Sequence, residues 1–484
     1  MKLKTFLIPI NQGFVARYFL QTDIFKTLQA SGNRIIVLVP NPDDNFYEPF
    51  NQYDNVIFER YNIDKCQEYM RKTPLERWLK LVRFYVLNGR YDIQTAKDHY
   101  QIFLDDYTKV FTSVLGRIRL FVLHCQVMLS RRSKVLRKLI LWIERVFFSP
   151  SLHKDIFEKY QPDLLITSSM GILDYDQFLL REACRYNIKT VAVILSWDNT
   201  TTKGMPGYIP DHVVAWTENM KKELIELNDV PANKIFVGGV AHYDHYCRAE
   251  SFMEKDIFCK HMGLEKNKKL LFFVAKSPNG YPYNMDICRI IMEAIREKKF
   301  SAPAQLLVRL HPVYFRKTNG MFVFQNFIDQ FYDLKKKYSE LILNEPDIHS
   351  QGLKYSMPQE EIKVLASILK YSDVVINMFS SVNVEASVFD RPIVNVCFEG
   401  DSYKAPKKAR YNISIDEAQT HNQRILRTKG VQVAYNPREL IDYIDQYLIN
   451  PEKDRQGRLQ IRTNEAGPNL GQAGKTIAEH ILSL

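Results

Sequence analysis

The sequence contains no run of about twenty apolar residues, the length a membrane-crossing helix needs, although 46% of its 484 residues are hydrophobic. It also contains no G-x-G-x-x-G and no C-x-x-C. The first absence removes the common dinucleotide fingerprint. The second, with seven scattered cysteines, an odd number, indicates neither a zinc site nor a disulfide framework, and no metal is expected. Reduced thiols in a cytoplasmic protein are the expectation. The opening, Met-Lys-Leu-Lys-Thr before Phe6 to Ile10, has too short an apolar run for a signal peptide and no small-residue cleavage site, so it is read as a first strand. Net charge is +11, yet no RRM, KH or zinc-finger pattern is present and nucleic acid is not an expected partner. Acidic residues are scarce in one stretch above all: from Arg117 to Arg145, Glu144 alone faces Arg117, Arg119, Arg131, Arg132, Lys134, Arg137, Lys138 and Arg145.

What is present is alternation of short β-branched runs with helical periodicity, the pattern of doubly wound parallel sheets. Strand 4–10, a turn at Asn11-Gln12-Gly13, helix 14–31 and strand 34–40 open a first domain over 1–245. A short strand at 56–59 and a helical insertion at about 62–158 follow, and the sheet resumes with strands at 163–167, 190–195, 213–216 and 235–239. A second domain, 246–455, has strands at 269–275, 305–310, 340–343, 373–376, 393–396 and 431–434. Residues 456–484 are expected to return to the first domain as a helix.

The richest segment runs from Ser372 to Phe398. Val374-Val375-Ile376 reads as a strand buried on both faces, Asn377 to Ser381 as a polar turn, Val382 to Phe389 as a helix and Ile393 to Val396 as the next strand. Ser380 and Ser381 fall where hydroxyls, free N–H groups and the helix dipole could meet a phosphate, and Glu385 lies one turn on, within reach of a ribose. The same spacing also fits an ordinary capping pattern. Upstream, Gln305 to Leu310 is a strand ending in His311-Pro312, which puts an imidazole at a carboxyl edge, where open parallel sheets bind ligands. A hydrogen-bonded loop histidine is the alternative.

Arg309-x-His311-Pro312 after one strand, then Asp373 to Ser380-Ser381, Glu385 and Arg391-Pro392-Ile393, resembles the donor half of the GT-B glycosyltransferases. The likeness is greatest to users of cytidine nucleotides: CDP-glycerol glycerophosphotransferases and bacterial sialyl- and Kdo-transferases. The resemblance implies two Rossmann-like domains facing a cleft, a nucleotide-sugar donor of CMP or CDP type rather than UDP, and no further cofactor. It implies that His311, Ser380 and Ser381 serve donor phosphate and Glu385 the ribose, with Arg309 a further donor-binding residue. Lys276 and Ser277, in the loop after strand 269–275, match the phosphate-facing loop of these enzymes; a solvated lysine is the other reading.

In the front half, strand 190–195 runs into Ser196-Trp197-Asp198-Asn199-Thr200-Thr201-Thr202-Lys203-Gly204. Glycerophosphotransferases carry Trp-His-Gly-Thr-x-x-Lys-x-x-Gly at this place. Trp197, Thr200 and Lys203 match, and Asp198 replaces the histidine. A carboxylate there can deprotonate an acceptor hydroxyl as the donor bond breaks, or can make an Asx-type turn. Asn11, Gln12 and Asp174 are further acceptor-side candidates, and Asp176 reads as a helix cap. The expected activity is sugar transfer to a surface-polysaccharide or lipid-linked acceptor. A CDP-polyol phosphotransferase, a UDP-sugar 2-epimerase or a non-catalytic nucleotide-sugar scaffold remain as alternatives. Over 117–147 the basic residues interleave with Leu136, Leu139, Ile140, Trp142, Ile143, Val146 and Phe147. That is a basic amphipathic pattern suited to the inner face of an anionic membrane, or else to packing on the first domain.

Overall fold

The computed structural model describes residues 3–87, 89–91, 93–172, 175–318, 320–348, 353, 355–400 and 412–484. The chain divides into two compact units: residues 1–242 with 350–356 and 467–484, and residues 243–349 with 357–466. The sequence reading placed the division at 245.

In the first unit, β1 (Thr5–Pro9), β2 (Arg34–Val39), β3 (Val56–Arg60), β4 (Leu164–Thr167), β5 (Lys189–Val193), β6 (His212–Ala215) and β7 (Ile235–Val237) form one sheet in the order β3-β2-β1-β4-β5-β6-β7. Every pairing is parallel, with Leu7 opposite Ile36 on one side and Leu165 on the other. Aliphatic side chains on both faces of β1, β2 and β4 are buried, as a sheet covered on two sides requires. Strand order reverses between β1 and β4, and such switch points are where doubly wound sheets bind ligands. The helix expected over 14–31 is two, Gly13–Leu20 and Asp23–Ala30. Thr22 breaks it: its backbone is extended and its hydroxyl caps Ile24 N–H.

The insertion is helical, with helices Ile63–Lys72, Pro74–Tyr85, Gln94–Val110, Val114–Arg132, Lys134–Phe147 and Lys154–Tyr160 among the described residues. Its apolar core, including Val82, Tyr100, Phe103, Leu123 and Val127, closes on Met205 and Leu227 of the α/β body. Buried ion pairs reinforce that seam. Arg181 bridges Glu76 at 2.9 Å and Glu144 at 3.1 Å, Arg83 reaches Glu144 at 2.7 Å, and Arg137 pairs with Asp229 at 2.6 Å. Glu144, in sequence the one acid on a basic surface, is therefore wholly buried.

In the second unit, β8 (Lys269–Val274), β9 (Ala304–Arg309), β12 (Ile342–Asn344), β13 (Val374–Asn377), β14 (Ile393–Val396) and β15 (Gln432–Ala434) form a parallel sheet in the order β12-β9-β8-β13-β14-β15. A two-residue hairpin, β10 (Lys317–Thr318) with β11 (Met321–Phe322), stands apart. The winding is that of the first unit, and the switch point lies between β8 and β13. The tail divides. Helix Arg455–Glu465 stays with the second unit, where Arg458 pairs with Asp390 at 2.9 Å. Helix Ala473–Ser483 joins the first, packing Gly474 on Asp23 and stacking His480 on Phe236.

Candidate functional site

At the second switch point, β13 ends in Asn377 and the chain turns through Met378, Phe379, Ser380 and Ser381 into helix Val382–Val388. Phe379 sits at φ +50°, a left-handed conformation that bulky residues adopt only when their surroundings enforce it. Two buried asparagines do so. Asn395, opposite Asn377 on β14, accepts from Phe379 N–H at 3.0 Å, while Asn377 Oδ1 accepts from Ser380 N–H at 3.1 Å. Replacing Asn395 by alanine would leave that N–H without its partner and is expected to cost about 1–3 kcal/mol, read by denaturant unfolding.

This lock corrects the expectation of free N–H groups in the turn. Those of Phe379, Ser380 and Val382 are used internally, the last by Ser380 Oγ at 3.1 Å. The two-turn helix adds only a small dipole contribution, so the hydroxyls and the nearby Lys276 ammonium carry any anion binding. Ser380 Oγ, having accepted, keeps its proton to donate.

Lys276 follows β8. Asn284 clasps its backbone from both sides, accepting from its N–H at 2.9 Å and donating to its carbonyl at 3.0 Å. Its ammonium donates to Met378 O at 3.3 Å and pairs with Asp416, so it spans the switch point at the Ser380 turn. Ser277 is half-buried, and its carbonyl closes the turn by accepting from Gly280 and Tyr281.

His311 follows β9, the strand beside β8. Its Nδ1 accepts from Val313 N–H at 3.1 Å, which leaves the neutral ring's proton on Nε2. Burial, aided by the Lys276 charge, lowers its pKa to about 4. The imidazole at this carboxyl edge is thus a neutral donor at physiological pH. Because the folded pKa lies below the unfolded one, wild-type stability is fully present above about 6.5 and is lost as pH falls toward about 4. His311→Asn should lack that loss, so wild type minus variant, measured by thermal melting across this window, falls with pH.

Two expected donor contacts are differently disposed. Arg309 is 6% exposed and bound to Glu361 at 2.7 Å and to Asn344, so its guanidinium serves the sheet rather than the mouth. Glu385 accepts from Ser381 Oγ at 3.4 Å and from the phenol of Tyr246 at 2.5 Å. Tyr246 escaped the sequence reading because it lies far upstream in a short 3-10 turn.

In the first unit, Asn11 and Gln12 follow β1 at its switch point, and Asn11 Oδ1 is buried with no partner among the described residues. Gly13 is needed there because a Cβ would stand 2.2 Å from Ser356 N. Asp174 lies outside the described residues. Asp176 is buried and accepts from Ser169 Oγ at 2.9 Å. Asp198 makes the turn, and its half-buried carboxylate accepts from Ser196 Oγ and from Thr202 Oγ1, the latter at 3.1 Å. Trp197 is 5% exposed, a core residue rather than an acceptor platform. A recess at the ends of β4 and β5 is lined by Ser169, Ile172, Ile194, Thr200, Lys203 and Asn228. Beside it, His99 of the insertion bonds to the backbone of Thr202, and burial and Lys203 lower its pKa while Asp198 opposes this. No local pattern marks His99, since the contact spans about one hundred residues.

No known family profile and no curated protein matches this chain. Among solved structures it is similar to UDP-GlcNAc 2-epimerase from Neisseria meningitidis bound to UDP-GlcNAc, at 11% identity and TM-score 0.53, covering 99% of this chain and 100% of that one. The enzyme from Methanocaldococcus jannaschii matches at 12% identity and TM-score 0.51, over 99% of both chains. A UDP co-structure of MnaA from S. aureus matches at 12% and 0.52, over 99% and 96%. The chain has the GT-B fold, with two Rossmann-like parallel-sheet units and a helical insertion in the first.

Proposed function

We propose that the protein is a nucleotide-sugar-dependent glycosyltransferase. The observation that carries this reading is the convergence, at the carboxyl edge of β9, β8 and β13, of a neutral N–H donor on His311, the Lys276 ammonium and the Ser380 and Ser381 hydroxyls. Neutral and cationic donors together suit a diphosphate or phosphodiester leaving group. In a single displacement, an acceptor hydroxyl attacks the anomeric carbon, the bond to the phosphate oxygen breaks, Asp198 takes the hydroxyl proton and these donors hold the departing negative charge. The acceptor is a surface polysaccharide or a lipid-linked saccharide. Glu385, once released from Tyr246, is the ribose ligand. Cytidine is the nucleotide that the resemblance of these motifs to CMP- and CDP-dependent transferases favours.

A thermal-shift series with CMP, CDP, UDP, GDP and TDP tests the donor site, because binding to the folded state raises the melting temperature. A shift with CMP or CDP, reduced at least tenfold in apparent affinity by Ser380→Ala with Ser381→Ala, is the expected result. Unchanged affinity in that variant would sink the phosphate role of the serines.

A UDP-sugar 2-epimerase is the second reading, favoured by the enzymes named for the similar structures. The turn departs from the Ser-Gly-Gly-x-x-x-Glu associated with that activity: counted back from Glu385, Phe379, Ser380 and Ser381 stand at the Ser-Gly-Gly positions. Conversion of UDP-GlcNAc without an acceptor would establish the epimerase; nucleotide release that requires an acceptor would establish the transferase.

A further inference from the structure

Helix Lys134–Phe147 is inside-out. Its inward face carries charge, Arg137 on Asp229 and Glu144 on Arg83 and Arg181, while Val135, Leu139, Trp142 and Val146 recur at four- and three-residue steps on the solvent side. Val135 is 75% exposed and Trp142 49%. The preceding helix, Val114–Arg132, turns Leu123 and Val127 into the core and still exposes Val114, Ile118, Phe121, Val122 and Leu129, Phe121 being 68% exposed. Water-facing helices of a globular protein show the opposite arrangement, and contiguous apolar surface of this kind marks an interaction site.

We propose that these two helices dock the protein on an anionic phospholipid surface. Charge selects the occupant. Arg117, Arg119, Arg132, Lys134, Lys138 and Arg145 are exposed around the apolar face, and the stretch's one acid is buried. A second copy of the chain would bring like charge against like charge. A nucleic acid would satisfy the cations and leave the aliphatic side chains in water. A bilayer with acidic headgroups satisfies both, with Trp142 at the depth where aromatic rings sit between headgroup and acyl chain. An open recess beside Trp142, lined by Lys138, Arg145, Lys234 and one acid, Asp211, adds Lys234 to these cations. Among the described residues no helix is long and apolar enough to cross a membrane, and the proposed mode is peripheral. It stands independently of the donor chemistry.

The test is cosedimentation of the full chain with vesicles of pure phosphatidylcholine and of phosphatidylcholine mixed with phosphatidylglycerol. The expected result is binding to the mixture, weakened by salt and by about fivefold for each exposed cation removed, as in Arg117→Gln and Lys138→Gln. Phe121→Asp with Trp142→Asp should lower binding at least tenfold. Both side chains are exposed, so the fold is retained, and a melting temperature matching wild type checks this. Vesicle-induced blue shift of tryptophan emission that disappears in Trp142→Phe is the second readout. Absence of binding to the mixture, or equal binding to the neutral vesicles, overturns the proposal. So does a wild-type dimer that the aspartate variants dissociate, or retention on RNA without retention on vesicles.

Discussion

Arg181→Ala is expected to destabilise the first unit by about 3–5 kcal/mol, the usual cost of removing one partner from a buried ionic cluster. The guanidinium holds Glu76, Glu144 and the carbonyl of Phe148, and both carboxylates are completely buried. Arg83 remains to neutralise Glu144, but nothing comparable remains for Glu76. Burial already raises the Glu76 pKa, with Arg181 opposing it and Glu144 adding to it. A carboxyl whose folded pKa is raised contributes stability that is present at low pH and is lost as pH rises through that pKa. Removing Arg181 raises it further, so the variant should lose more stability between acidic and neutral pH than wild type does. Adding Glu76→Gln should recover part of the loss at neutral pH. Scanning calorimetry across pH is the measurement, and a deficit below about 1 kcal/mol would mean the insertion seam does not depend on these charges.

Asp198→Asn is expected to lower turnover by about a hundred- to ten-thousandfold, the range for losing a positioned base, with donor affinity nearly unchanged. Asparagine keeps one acceptor oxygen for one of the Ser196 and Thr202 hydroxyls and turns its amide NH2 to the other, which can accept, so the turn survives while the proton acceptor is lost. Single-turnover nucleotide release with saturating donor and acceptor reads the chemical step, and isothermal titration with donor alone reads binding. Retained turnover would remove Asp198 from the reaction and turn attention to His99, the other titratable group beside Lys203. A parallel loss of donor affinity would instead indicate a structural role for Asp198.

The strands were legible because parallel sheets buried on both faces need near-continuous aliphatic runs, and Ile35 to Val39 can hardly be anything else. Helix Gln325–Lys337 was missed although Phe327, Ile328, Phe331 and Leu334 form an apolar stripe, and although a crossover between parallel β9 and β12 demands an element there. The site was legible as a set of loops at strand ends, since topology alone collects them. Its electrostatics were not. Whether Arg309 faces ligand or Glu361, whether the Ser380 N–H is free or held by Asn377, and whether His311 is charged all depend on partners from other elements. Glu144 is the clearest case: its neighbours in sequence made it a surface acid, and Arg83 and Arg181 make it core.

Because helix Ala473–Ser483 covers helix Asp23–Ala30, the unit that opens the chain is the last to be completed during synthesis. Nearly all of the second unit leaves the ribosome before that cover exists, reversing the usual N-terminal-first order. Until then Ile24 and Leu28, fully buried in the finished protein, lack part of their packing, and Ile477 and Ile481 have yet to emerge. A stall or cleavage just after residue 466 would therefore leave the second unit closed and the first without the helix that covers Asp23–Ala30.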